Sequence, residues 1–242
     1  MIRILKYEFL RITSLRSSWV LTILGTLMVT GITYLGIAEL TRVGSTDTAS
    51  EFKEFVTIFV PLWGIWAATI ASQAFGHDYR HGTIRLTLST FPNRMQVYAI
   101  RVLAVVIWCA IWLAVTISIV LLEIELKAPG GLLLTDFNIA VGRMSVFFLL
   151  FILSAIAIVM ITRIMALGTI VPLMMATTVE NLVGFFIPEN LKWTSEYYPY
   201  SNAMNWAVPW NFESTTYSAY PLAIFTAVVM AIAGYMFIKR DA

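Results

Sequence analysis

Residues 97–122 read VYAIRVLAVVIWCAIWLAVTISIVLL, and Arg101 is the single charged residue in this stretch. A helix needs about 20 predominantly apolar residues to cross the hydrocarbon core of a bilayer. The stretch therefore predicts a transmembrane helix. Apolar stretches of similar length elsewhere in the chain predict further ones.

The composition of the whole chain agrees with this prediction. Hydrophobic residues make up 59% of the 242 positions and charged residues only 12%, against about 25% charged in typical soluble domains. Such a composition is typical of multi-pass membrane proteins. The formal net charge of +2 is too small to indicate nucleic-acid binding. The single cysteine, Cys109, excludes a disulfide framework.

Six stretches are long and apolar enough to cross a bilayer. They lie near 18–40, 55–76, 97–122, 140–162, 164–187 and 218–238. The fourth stretch is divided from the fifth at Thr162 and Arg163, where we expect a very tight turn between two helices. The alternative is one long bent helix. The sequence thus predicts an all-α protein with six transmembrane helices, which form a single transmembrane domain over residues 1–242.

The basic residues predict the orientation of the chain. Of the 16 Lys and Arg residues, eleven fall on the side that holds both chain ends and five on the other. Because cytoplasmic loops carry an excess of Lys and Arg, both termini are expected in the cytoplasm. No removable signal peptide is expected, since the first apolar run is longer than the hydrophobic region of such a peptide.

Two segments outside the spans are predicted to lie along the membrane surface. In residues 1–17, apolar side chains recur at helical spacing and basic ones lie off that stripe. The stripe consists of Ile2, Leu5, Phe9 and Ile12. This pattern favours an amphipathic helix in the inner interface, and the alternative is a plain basic anchor. The last outer loop, 188–217, is rich in Trp, Tyr and Pro, which favours short interfacial or re-entrant helices there.

No motif for nucleotide binding or catalysis occurs in the sequence. The pattern G-x-x-x-x-G-K-[ST], whose backbone cradles phosphates, is absent. His77 and His81 stand four residues apart, as in the zinc-binding pattern H-E-x-x-H. However, Asp78 would hold the base too far from a metal-bound water, no third ligand is evident, and Arg80 disfavours a dication. We therefore predict neither a metal site nor catalytic residues.

Several aromatic and polar residues are predicted inside the spans. Four tryptophans lie near the middle of the second and third spans. They are Trp63, Trp66, Trp108 and Trp112. These side chains either line a path for an amphipathic substrate or pack between helices. Glu180 with Asn181, late in the fifth span, are further candidates for substrate contact, because charged groups inside a membrane are costly.

A charged loop separates the second and third spans. It reads His77-Asp78-Tyr79-Arg80-His81-Gly82-Thr83-Ile84-Arg85 and continues to Pro92-Asn93-Arg94. In so hydrophobic a chain, this loop is where a cytosolic partner should dock. Gly82 permits a sharp reversal of the chain, and Pro92 suits the first turn of the following helix.

This loop resembles one in the permeases of type 2 ATP-binding cassette exporters, the ABC-2 family. There the second span ends in an acidic-basic patch, followed by Gly-Thr, a short helix, and a Pro with a basic residue. Here these elements are Asp78 to Arg80, Gly82-Thr83, Ile84 to Thr90 and Pro92 to Arg94. The resemblance extends over most of the chain, from the amphipathic N-terminal helix to a broken aromatic segment before the last span.

The resemblance implies a mechanism. Two permease protomers, identical or related, form the pathway, and two separate ABC ATP-binding subunits, which hold ATP and Mg²⁺, each receive the short helix near 83–90. The coupling residues within the cytosolic loop 77–96 are then Arg80, Gly82, Thr83, Ile84, Arg85, Leu86, Pro92 and Arg94. The chain itself is then no enzyme and binds no cofactor. It is then expected in the cell membrane of a prokaryote. Because no outer loop is large enough to form a soluble domain, the expected substrate is an amphipathic compound such as an antimicrobial peptide, a drug or a lipid-linked molecule.

Two other functions stay open at this point. One is a membrane scaffold or sensor subunit of a signalling system, and the other is an intramembrane metalloenzyme that uses the histidine pair. Co-purification of a soluble ATPase separates the exporter from both, and stoichiometric zinc favours the enzyme. Membrane lipids are expected partners in each case, and nucleic acid in none.

Overall fold

The computed structural model describes residues 2–43, 48–91, 93–127, 134–207 and 217–239. Every regular element in these ranges is helical. The α-helices are α1 (Ile2–Ser14), α2 (Arg16–Val43), α3 (Thr48–His81), α4 (Ile84–Thr90), α5 (Arg94–Lys127), α6 (Leu134–Thr162), α7 (Met165–Met174), α8 (Glu180–Phe186), α9 (Pro199–Ala207) and α10 (Tyr220–Lys239). A π-helical turn, Met175–Val179, joins α7 to α8, and a 3-10 helix, Glu189–Tyr197, precedes α9. The all-α class is confirmed.

Five segments of the described chain are long and apolar enough to cross a membrane. They are Arg16–Gly36, Arg94–Glu123, Val141–Thr162, Met165–Phe186 and Tyr220–Lys239. These correspond to the first, third, fourth, fifth and sixth predicted spans, and they are consistent with a multi-pass membrane protein. The second predicted span, 55–76, falls on α3 and is not among the five. The side chains of 48–62 in α3 lie outside the described residues.

Helix α3 lies at the centre of the bundle, in contact with α2, α5, α6 and α7. Four of its buried residues are alanines at helical spacing. They are Ala67, Ala68, Ala71 and Ala74. Small side chains let the backbones of neighbouring helices approach closely. Larger apolar side chains on the facing helices, such as Phe147 and Phe151 of α6, fill the remaining core.

The chain reverses sharply between α6 and α7. Arg163 has a positive φ of 60°, and Ile164 is extended, so the two helices are separated by only these two residues. The helices then pack closely along their length. A Cβ atom at Gly168 of α7 would meet Val159 and the backbone oxygen of Ala155 on α6. The expected tight turn is therefore present, and α6 and α7 are not one long bent helix.

The fifth span is interrupted along its length. Pro172 lies inside α7 and cannot donate a backbone hydrogen bond. The π-helical turn Met175–Val179 directly follows the end of α7, and α8 then begins at Glu180. After α8, the 3-10 helix and α9 lie within the predicted outer loop 188–217 as two short helical elements. Residues 208–216 of that loop lie outside the described residues.

The N-terminal helix is also present, and its apolar stripe packs against the protein. Ile12 is buried, and Leu5 and Phe9 pack against the core, where α1 contacts α5 and α2. The opposite face of α1, including Arg3 and Lys6, is exposed. Its location in the membrane interface stays a prediction.

Candidate functional site

The predicted coupling loop contains a sharp turn and a short helix. Helix α3 ends at His81, and Gly82 follows with a φ of +67°. Glycine adopts this left-handed conformation without the steric cost that other residues meet. Helix α4 then covers Ile84–Thr90, the residues for which the resemblance implied a short helix. Asn93 Oδ1 accepts a hydrogen bond of 3.1 Å from the backbone N–H of Gln96 and so caps the start of α5.

Helix α4 has one face against the protein and one face in solvent. Thr87 is 3% exposed, and Leu88 packs against the core. Phe91, which ends the helix, contacts Tyr7 of α1 with ring centroids 5.8 Å apart. Ser89 and Thr90 are exposed. Thr87, Leu88 and Phe91 thus hold this part of the loop against the protein.

Two of the predicted coupling residues have described side-chain partners. Thr83 donates its hydroxyl to Asp78 Oδ1 at 2.8 Å. Arg94 donates to the backbone oxygen of Ile238 near the end of α10 at 3.2 Å, a favourable position because the C-terminus of a helix carries partial negative charge. Apart from Gly82, the remaining members of the set lie outside the part of the chain whose side chains are described. They are Arg80, Ile84, Arg85, Leu86 and Pro92.

Four charged side chains form a closed ring beside this loop. In α1, Arg11 Nε lies 2.8 Å from Glu8 Oε2. Arg11 Nη1 also pairs with Asp78 Oδ2 at the end of α3. Arg101 of α5 completes the ring, with Nη2 at 2.9 Å from Glu8 Oε1 and Nη1 at 2.9 Å from Asp78 Oδ2. Acid and base alternate around this charge ring, so its net charge is zero.

The charge ring is buried. The side chains of Glu8 and Arg101 are fully buried, that of Asp78 is 3% exposed and that of Arg11 is 12% exposed. A buried charge is tolerated when it is paired and hydrogen-bonded. Removing one partner leaves an uncompensated charge and costs about 3–5 kcal/mol in measured cases. The contact of Arg101 Nη1 with Asp78 lacks hydrogen-bond geometry, so it is an ion pair only.

The ring was not predicted from the sequence. Arg101 was counted only among the positive charges that set orientation, and Glu8 was assigned no role. Two signals were available. Arg101 lies inside an apolar run, and Glu8 is four residues from both Ile4 and Ile12, on the buried face of α1. An acid on the apolar stripe of one helix and a base inside another together indicate a pair.

The histidine pair is only partly described, because the side chain of His81 lies outside the described residues. Asp78, which stands where H-E-x-x-H has its general base, is engaged by Arg11 and Arg101. Over the described residues, no group of three His, Cys, Asp or Glu side chains is arranged to hold a metal ion.

The four tryptophans lie at contacts between helices. Trp63 packs against Phe148 of α6, with ring centroids 6.0 Å apart, and Trp108 packs against Trp19 of α2 at 5.3 Å. These contacts match the packing alternative. The two others lie where α2 meets α3 and α5. Trp112 donates its indole N–H to the hydroxyl of Thr26 at 3.0 Å, and Trp66 is half-buried beside Gly25.

Glu180 is buried and serves as a cap for α9. Its carboxylate accepts backbone hydrogen bonds from Tyr200 at 3.1 Å and Ser201 at 2.6 Å. At the other end of α9, Arg143 donates to the backbone oxygen of Trp206 at 3.3 Å. An acid at the N-terminus and a base at the C-terminus both complement the helix dipole. Asn181, the neighbour of Glu180, is exposed and donates to the Thr177 backbone oxygen at 3.0 Å.

Comparison of the sequence with protein-family models gives no match, and comparison with the curated proteins gives none either.

Proposed function

We propose that this chain is the membrane-spanning subunit of an ATP-driven exporter of the ABC-2 type. It crosses the cell membrane of a prokaryote six times, with both termini in the cytoplasm. It pairs with a second permease protomer, identical or related, and the two form the translocation pathway. Separate ABC subunits bind ATP and Mg²⁺ and hydrolyse the nucleotide, because the sequence contains no phosphate-binding loop.

The observation that carries this proposal is the short helix α4 between two much longer helices. A chain that cannot bind nucleotide needs a rigid contact through which a separate ATPase can move its spans. Helix α4 suits this role because it follows a sharp turn at Gly82, buries Thr87 and Leu88 against the protein, and exposes Ser89 and Thr90. A partner bound to the exposed face would act directly on the ends of α3 and α5.

The exported substrate in this proposal is an amphipathic compound such as an antimicrobial peptide, a drug or a lipid-linked molecule. Four of the six candidate pathway residues are buried in contacts within the single chain, namely Trp63, Trp108, Trp112 and Glu180. Asn181 is exposed and Trp66 is half-buried. These two side chains are therefore the ones that a substrate reaches without rearrangement of one protomer.

Affinity purification of the tagged chain from its native membrane tests the proposal. We expect a soluble ATPase to co-purify, and Arg85→Glu in α4 to reduce its recovery, because a like-charge contact at an interface can cost several kcal/mol. Lys239→Glu is the matched control. It reverses an exposed charge on the same predicted side of the membrane and should leave recovery unchanged.

Purified alone, the chain should bind no ATP and hydrolyse none. Specific ATP binding by the isolated chain, with contaminating ATPases excluded, would remove the central element of the proposal. Failure of any ATPase to co-purify from the native membrane would instead favour the scaffold or sensor function.

A further inference from the structure

We propose that the charge ring of Glu8, Arg11, Asp78 and Arg101 is a latch that fixes α1 against α3 and α5 and thereby sets the position of α4. The four residues are positioning residues, because none of them belongs to α4. They act on α4 only through the helices that hold it. The latch itself is a property of the single chain. Its consequence for an ATP-binding partner rests on the proposed function.

The ring joins three helices that are far apart in the sequence. Glu8 and Arg11 belong to α1, Asp78 lies one turn before the end of α3, and Arg101 lies about two turns into α5. Each charge contacts two charges of opposite sign. Displacement of α1 therefore separates both of its charged residues from their partners on the other two helices.

Helix α4 is attached to this assembly at both of its ends. At its start, the Thr83 hydroxyl donates to Asp78 Oδ1 at 2.8 Å, and Asp78 is paired with Arg11 of α1. At its end, the ring of Phe91 contacts that of Tyr7 on α1 at 5.8 Å. α1 thus contacts the residue after α4 directly and the residue before it through Asp78, so a change in the position of α1 is transmitted to both ends of α4.

The alternation of charges makes the ring act as a unit. Neutralising one member leaves an unpaired charge in a buried place. Neutralising one acid and one base together leaves the remaining pair, Arg11 and Asp78, balanced. Neutralising one acid and one base together should therefore destabilise the ring less than neutralising either residue alone, because contacting residues are energetically coupled.

The reporter for latch opening is a cysteine at position 87. Thr87 is 3% exposed, so Thr87→Cys should react slowly with a maleimide while α4 is in place. When opening is fast relative to labelling, the labelling rate follows the population of the open state. Asn93→Cys, at an exposed position, gives the labelling rate of an accessible thiol. The natural Cys109 is fully buried and should contribute no background.

Single neutralisation of the ring should expose the reporter. In the full-length purified protein, Glu8→Gln and Arg101→Gln should each raise the labelling rate of Thr87→Cys at least about tenfold, which corresponds to about 1.4 kcal/mol in opening free energy. Arg3→Gln is the matched control, because it removes an exposed charge from the same helix and should leave the rate unchanged. The double change Glu8→Gln with Arg101→Gln should give a smaller rise than either single change.

The latch is overturned if both single variants label at the parent rate, if Arg3→Gln raises the rate equally, or if the double variant shows the product of the two single effects. Where a variant does not accumulate, Thr83→Ala carries the same test, because it removes only the hydroxyl bond to Asp78 and should give a smaller rise. No ATPase is needed for this measurement. Co-purification of an ATPase without any effect on labelling would therefore refute the latch alone.

Discussion

Gly82 and Gly31 differ in backbone conformation but not in available space. At both positions nothing lies within 4 Å of the place that a Cβ atom would take. Gly82 has a φ of +67°, whereas Gly31 lies inside α2. Gly82→Ala should therefore destabilise the protein by about 1–2 kcal/mol, the cost of a left-handed conformation for an L-residue.

Gly31→Ala is the control for this prediction. Alanine is favoured over glycine in helices by roughly 1 kcal/mol, so the control variant should melt at the same temperature as the parent or slightly above it. The melting temperatures of both variants and the parent, measured by thermal unfolding in one detergent, test this prediction. Equal melting temperatures for Gly82→Ala and Gly31→Ala would contradict a role for the positive φ.

Local features of this kind could be predicted from the sequence, and long-range ones could not. The turn at Gly82 and the break at Thr162 and Arg163 depend on neighbouring residues alone. The sequence indicates that Glu8 and Arg101 each need a partner, but the geometry of their pairing and the closure of the ring by Arg11 and Asp78 depend on how α1 packs against α3 and α5. The same limit explains why the burial of Thr87, in the loop where a partner was expected to dock, was not predicted.

Helices α6 and α7 pack closely because Gly168 has no side chain. A Cβ atom there would meet Val159 Cγ2, Ser72 Oγ and the Ala155 backbone oxygen. Gly168→Ala should force these helices apart and lower stability by about 1–3 kcal/mol, the usual cost of an overpacked core. Thermal unfolding in detergent measures the effect.

Gly142→Ala is the control for Gly168→Ala. Gly142 also lies in a predicted span, but nothing occupies the space within 4 Å of its Cβ position. The control should melt no lower than the parent. An equal loss of stability in both variants would show that the effect comes from glycine replacement in general and not from the contact of α6 with α7.

The long helices were largely predictable, because each depends on a run of apolar residues. Five predicted spans coincide with segments able to cross a membrane, and α4 lies at the residues that the resemblance implied. The interruption of the fifth span was not predicted. Pro172 was visible in the sequence, but the capping of α9 by Glu180 depends on how α8 packs against α9.

The orientation of the chain in the membrane can be tested with cysteine labelling. Ser195→Cys should react with an impermeant thiol reagent from outside the cell. Asn93→Cys should react only when the inner face is accessible. Both positions are exposed, whereas Cys109 should resist the reagent from either side because it is fully buried. External labelling of Asn93→Cys would overturn the proposed cytosolic location of α4.

The most direct test of the proposed function is a photo-crosslink from the exposed face of α4. A photoreactive amino acid at Ser89, incorporated in the native host, should crosslink to an ABC ATP-binding subunit that can be identified by mass spectrometry. The same group at Ser195, on the opposite predicted side of the membrane, should give no such product. If efficient incorporation at Ser89 yields no crosslink to an ATPase, or if Ser195 yields the same one, α4 is not the docking element and the chain does not act as proposed.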